Sequence, residues 1–264
     1  MTRYKLIAAG PPVAGNTAML GSNTITGIRH VHVTGVAKTA GILSNWVVPN
    51  EIICGRLGRV LGLPVPPGCV VTVEGVIPGS PPGCVVTDAG TLHYVSLDFN
   101  VSGQELAPVN ARAFVAHDPS LASRLVVFDA WVLNADRHER NVFFDLTTGL
   151  IQVFDHGHAL FGPGPYVEPA LEEQRTSLDL SKHVVPPYLT HLDGLKRGIE
   201  RVQALPRFVV EDAVAAAVGT GITDIEGAFC VDFLMDRAQR LPELFKTADH
   251  ARFTGVTPEL WKAF

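Results

Sequence analysis

A chain of 264 residues is long enough to bury a sizeable core and suits one large domain or two closely packed lobes. Its 47% hydrophobic and 18% charged residues are those of a folded globular protein, and a net charge of −5 gives no electrostatic ground for a nucleic-acid or membrane partner. No apolar run reaches the roughly eighteen residues of a membrane span, and Cys54, Cys69, Cys84 and Cys230 form no paired-cysteine motif, so reduced thiols and a cytoplasmic location are expected.

The first hundred residues are rich in Val, Thr, Ile, Gly and Pro in short alternating runs. They predict strands over 4–8, 28–33, 36–39, 70–76 and 93–99. One helical pattern interrupts them. Ile52, Ile53, Leu57, Val60 and Leu61 recur at helical spacing, with Asn50 as expected N-cap and Gly62 followed by Pro64 as a stop. After Asn100 the texture turns helical. Asp118-Pro119-Ser120 opens a segment whose apolar face (Leu121, Leu125, Phe128, Trp131, Val132) runs to a polar loop. Two short strands, 142–144 and 151–154, are joined at Leu146-Thr147-Thr148-Gly149. Residues 162–187 lack periodicity and predict a long loop, and three helices are expected over 189–205, 209–218 and 224–244. A strand-rich first part followed by a helical second part predicts an α+β fold of two lobes, 1–100 and 101–264, meeting near Asn100–Gly103.

The polar loop carries the chemistry. In Asn134-Ala-Asp136-Arg137-His138-Glu-Arg-Asn141 an aspartate and an asparagine stand five positions apart, and Asp155-His156-Gly157 follows fourteen residues after the asparagine. Phosphoryl transfer from a metal-bound nucleotide needs this inventory: one carboxylate to orient the attacking hydroxyl, with an amide and a second carboxylate on the metal. On this reading Asp136 is the catalytic carboxylate and Asn141 and Asp155 bind the metal through oxygen, as a hard divalent cation requires. Arg137 either orders the loop or touches a phosphate, and His138 either assists proton transfer or locks the loop. Lys38 is the sole lysine between Lys5 and this loop, in a β-like run, and the next glutamate, Glu51, opens the first helix. That order suits a lysine on the nucleotide phosphates held by a helix glutamate. No G-x-G-x-x-G occurs; the small, hydroxyl-rich stretch Gly21–Gly27 is the candidate phosphate turn, with Ser22, Thr24, Thr26 and Gly27 as its contacts.

The segments Asn-Ala-Asp-Arg-His-Glu-Arg-Asn (134–141) and Phe-Asp-His-Gly-His-Ala-Leu (154–160) resemble the HipA-like kinases, atypical serine/threonine kinases distantly similar to the phosphatidylinositol kinases. Pro49-Asn50-Glu51 before Leu61-Gly-Leu-Pro-Val-Pro66, and Arg237-Ala-Gln-Arg-Leu241, resemble the family's glutamate helix and closing helix. The resemblance implies a two-lobed protein-kinase-like fold, a strand-rich N-terminal lobe and a mainly helical C-terminal lobe. It also implies ATP and Mg2+ as cofactors, and as acceptor a hydroxyl-bearing substrate, in this family a protein serine or threonine. Ser22, Thr24 or Thr26 would hold the place of an autophosphorylated residue. The chain is shorter than the HipA toxins, so their toxin activity and DNA-binding partner are not carried over. Two other readings remain open: a metallohydrolase built on Asp136, His138, Asp155, His156 and His158, and a catalytically weak kinase-like nucleotide-binding module.

Overall fold

A computed structural model describes residues 4–9, 19–26, 32–39, 46–72, 92–97, 111–145, 148–162, 167–248, 250–262 and 264. The smaller lobe is a closed five-stranded barrel of β1 (Tyr4–Ala9), β2 (Met19–Thr26), β3 (His32–Thr39), β4 (Gly68–Thr72) and β5 (Leu92–Leu97), in the order β1-β2-β3-β5-β4. Neighbours are antiparallel except β1 and β4, whose parallel pairing closes the barrel. Closure leaves no exposed sheet edge. Two expected strands, 28–33 and 36–39, are one: β3 runs unbroken through Gly35 because β2 and β5 pair with it on either side.

Helix α1 (Val47–Val60) crosses between β3 and β4 and packs against β3, β4 and β5. It starts four residues earlier than expected, with Trp46 rather than Asn50 as N-cap, so Asn50 lies inside the helix with its side chain buried. Gly62 ends it at φ 74°, a conformation glycine adopts without strain. Below the helix, a Cβ on Gly68 would meet the Tyr94 hydroxyl at 2.1 Å, so the glycine is what admits this buried tyrosine.

The larger lobe holds α2 (Ala111–His117), α3 (Pro119–Trp131), the hairpin β6 (Val142–Phe144)–β7 (Ile151–Val153), α4 (Val167–Glu173), α5 (Asp193–Gln203), α6 (Arg207–Ala215), α7 (Asp224–Thr247) and α8 (Pro258–Lys262). Asp118 caps α3 as expected, accepting from Leu121 N at 2.8 Å. The expected loop 162–187 contains α4, whose two turns are too short to show a period. Trp131 Nε1 donates to Leu234 O at 2.8 Å, tying α3 to α7. Buried Arg237, on α7, donates to the carbonyls of Ala130, Gln174 and Ser177 (2.9, 2.8 and 2.8 Å). Burial pulls its guanidinium down to about 10. The expected lobe boundary, Asn100–Gly103, lies outside the described residues. No described helix is long and apolar enough to cross a membrane.

Candidate active site

Lys38, at the end of β3, is buried, and its ammonium contacts two carboxylates. One is Glu51 of α1; the other is Asp155 Oδ1, at 2.6 Å, just past β7. The pairing of a strand lysine with a helix glutamate expected from chain order is therefore present, and the Asp155 contact reaches across the lobes. Burial alone would push Lys38 down, but the carboxylates of Asp155 and Glu51 outweigh it and hold it above its ordinary value. Burial works to raise Asp155, yet the Lys38 charge and hydrogen bond keep it well below the usual carboxylate range, and so ionised.

The Asp155 backbone sits at φ 65°, a strained region for a non-glycine residue that is typical of functional turns. Helix α1 holds the turn in place. Glu51 Oε1 accepts from His156 N at 2.9 Å, and Asn50 Nδ2 donates to Gly157 O at 2.9 Å. Asn50, expected as a cap, thus fixes the Asp-His-Gly turn. The sequence offered a hint in the polar residue next to Glu51, on a helix that buries most of its surface.

The polar loop begins where α3 ends. Leu133 takes φ 57° and Asn134 N reaches back to Asp129 O at 2.8 Å, a helix closure usually made with glycine. Asp136 follows, half-buried, its carbonyl accepting from His138 N and from Asn141 Nδ2, each at 3.0 Å. With its Nδ2 so engaged, the Asn141 side-chain oxygen is the atom that could hold a cation. The β6–β7 ladder pairs Val142 with Val153, and Phe154 N donates to Asn141 O at 3.1 Å, which sets Asn141 beside the strand end that carries Asp155. An amide oxygen and an ionised carboxylate, side by side, are a donor set that fits magnesium.

Arg137, a catalytic candidate by position, is fully buried and is a loop-ordering residue. Nε and Nη2 form a fork on Asp129 Oδ2 and Oδ1 (2.8 and 2.9 Å), and Nη1 donates to Asn141 O (3.0 Å) and Phe154 O (2.5 Å). Its guanidinium has no room for a phosphate. His138 caps the one-turn 3-10 helix Glu139–Asn141, its Nδ1 accepting from Arg140 N at 3.2 Å, which is the loop-locking alternative. Asp129 was missed by sequence reading. Its signal was a carboxylate within Val126-Val-Phe-Asp-Ala-Trp131, a buried run where a charge demands a partner.

Two other expectations are corrected. Gly21–Thr26 is not a turn: it belongs to β2, laddered to β1 and β3, so its backbone lies in sheet pairing. The alternating hydroxyls of Ser22, Thr24 and Thr26 signalled a strand, and Gly27 lies outside the described residues. The β1–β2 connection, residues 10–18, also lies outside them. The five-residue metallohydrolase cluster does not form either. The His156 ring is buried edge-on against Phe128, with Nδ1 3.6 Å from Glu51 Oε2, and among the described residues no three His, Cys, Asp or Glu side chains converge as a metal site.

The family model described as HipA-like kinase matches residues 36–163, a little under half of the chain, from the Lys38 strand through the Asp-His-Gly turn. The structure superposes on that of the Helicobacter pylori proinflammatory kinase CtkA with a TM-score of 0.60 at 13% identity, covering 96% of each chain, which shows a shared two-lobed kinase-like fold. A Golgi casein kinase structure matches more remotely, with a TM-score of 0.43 at 12% identity over 95% of this chain and 73% of that one. No curated protein matches the chain.

Proposed function

We propose that this chain, whose residues 36–163 carry a HipA-like kinase domain, transfers the γ-phosphoryl group of ATP to a hydroxyl acceptor in a magnesium-dependent reaction. Residues 1–100 form the nucleotide-binding lobe and 101–264 the catalytic lobe. The observation that carries the reading is the buried Lys38 ammonium, held at once by Glu51 and by Asp155 from the opposite lobe. A lysine kept charged inside a cleft is a ready partner for phosphate oxygens. Lys38 neutralises the phosphates, and Glu51 holds it in place. Asn141 and Asp155 hold the magnesium ion, which supplies charge neutralisation on the phosphate oxygens. Asp136, half-buried, accepts the acceptor hydroxyl's hydrogen bond and aims it for in-line attack. Catalysis of this kind is positioning and electrostatics, for which the fixed backbone around Asp136 and Asn141 is suited. The acceptor is a protein serine or threonine.

The test is calorimetric titration of ATP with and without magnesium, on wild type and Asp155→Ala. Magnesium-dependent binding in the wild type that disappears in the variant is the expected result. Binding indifferent to both magnesium and the substitution refutes the metal assignment. Magnesium-dependent binding without transfer to any hydroxyl, including the protein's own, favours the weak nucleotide-binding module instead.

A further inference from the structure

We propose that Asp129 and His183 are positioning residues for the metal-binding pair Asn141 and Asp155, acting through the Arg137 guanidinium; this rests on the nucleotide-binding reading above. Asp129 stands on α3, outside the catalytic loop, and is 1% exposed. Its oxygens receive the Arg137 fork and Asn134 Nδ2, at 3.0 Å. With the Nε–Nη2 edge of the guanidinium spent on Asp129, its plane is fixed and Nη1 is aimed away from the carboxylate. It meets two carbonyls, those of Asn141 and Phe154. One belongs to a metal-binding residue and the other to the residue that precedes the second metal-binding residue. A single rigid group thus sets the spacing between the two ligands.

His183 closes the network from the far side of the sequence. Val185 N donates to His183 Nδ1 at 3.2 Å, so the ring hydrogen sits on Nε2, which lies 3.2 Å from Asp129 Oδ2 without the alignment of a full hydrogen bond. The next residue, Val184, donates its N–H to Arg137 O at 3.0 Å. The segment that follows the Asp-His-Gly turn is in this way latched to the arginine that spaces the ligands. Outer partners of metal ligands are worth about 10–100-fold in metal affinity or activity when removed.

Arg137→Lys keeps the charge but cannot span both carbonyls and the carboxylate, and Asp129→Asn presents one hydrogen-bond donor to the fork in place of an acceptor. The experiment titrates ATP into the full chain over a range of magnesium concentrations, with a thermal melt on each sample. In both variants the half-saturating magnesium concentration is expected to rise about 10–100-fold. Affinity for ATP at saturating magnesium should change far less. A lowered melting temperature with an unmoved magnesium dependence overturns the proposal, since that is the mark of a purely structural cluster. Should neither variant fold, His183→Gln decides, because it leaves the arginine–aspartate fork intact: a several-fold rise in the magnesium requirement supports the role, and none refutes it. Wild type that binds no ATP at any magnesium concentration overturns the nucleotide reading and this proposal together, whereas a wild type that responds to magnesium beside variants with the same magnesium requirement overturns the positioning role alone.

Discussion

Two buried ionic clusters lie close to the same hairpin and are built on opposite plans. Asp129, Arg137, Asn134 and His183 all belong to the larger lobe, and the side chains of the ion-paired members have no exposure at all. Lys38, Glu51 and Asp155 span the two lobes, and the Asp155 side chain retains 13% exposure. In the first, every nitrogen of the guanidinium is committed to protein, and substitution of Asp129 or Arg137 strands a charge. In the second, one ammonium serves two carboxylates, so one of them can leave for another cation while the lysine stays paired. Buried charge of the first kind fixes geometry; buried charge of the second kind can be exchanged for a ligand.

The sharpest way to break that contrast is Asp129→Ala. It leaves the Arg137 guanidinium buried without its carboxylate and is expected to cost about 3–5 kcal/mol of stability, read as a lower denaturant midpoint at unchanged slope. A loss under about 1 kcal/mol, the range of an exposed pair, would mean that the closed cluster is no more than a surface one. Asp155→Asn tests the other side. Because Lys38 keeps Glu51, the expected loss is about 1–2 kcal/mol, while magnesium-dependent ATP binding vanishes. A loss as large as that of Asp129→Ala would show the two clusters to be alike.

Acid sharpens the comparison next. Burial holds His183 below its ordinary value and His93 down at about 4. The unfolded chain therefore takes up protons on these rings, from about pH 6.5 downward, that the folded chain refuses. Their contribution is complete above that pH and is lost as the pH falls. Asp129 and Asp155, held well below the usual carboxylate range against the pull of burial, extend the loss below about pH 4. Denaturation midpoints measured across this range should fall steadily, and His183→Gln should flatten the upper part. A midpoint that climbs on acidification would contradict the sign. The smallest effect belongs to Arg56→Ala, which removes the exposed ion pair with Asp212 between α1 and α6. The cost should stay within about 1 kcal/mol and shrink with added salt.

What sequence could and could not reveal follows from the distances involved. Asp136 and Asn141 share one loop, and Lys38 precedes Glu51 across a single strand–helix step, so fixed spacing exposed them. Asp129 becomes meaningful only with Arg137 eight positions on and His183 more than fifty positions on, and no local period links those three. The hydroxyls of 22–26 misled because alternation of small polar residues suits a turn and a strand equally until the partner strands are known. Asn50 misled for a related reason: an asparagine near a helix start is a cap by default, and only the presence of the Asp-His-Gly turn above it makes an interior place worthwhile. The two lobes were legible in bulk because alternating and helical textures divide the chain near its first hundred residues. The short α4, with no room for a repeating pattern, was not.

The attachments of α1 bear on how the two lobes are joined. Gly58 lets the helix lie against Val65, with Phe128 of α3 close by. Its Asn50 grips Gly157, Arg56 meets α6, and Pro64, just after it, accepts from Val153 N at 3.0 Å. By these bonds the helix belongs to the larger lobe as much as to the barrel strands it packs against. Glu51 is then a rivet, holding the Lys38 strand with its carboxylate and the turn after Asp155 through the His156 amide.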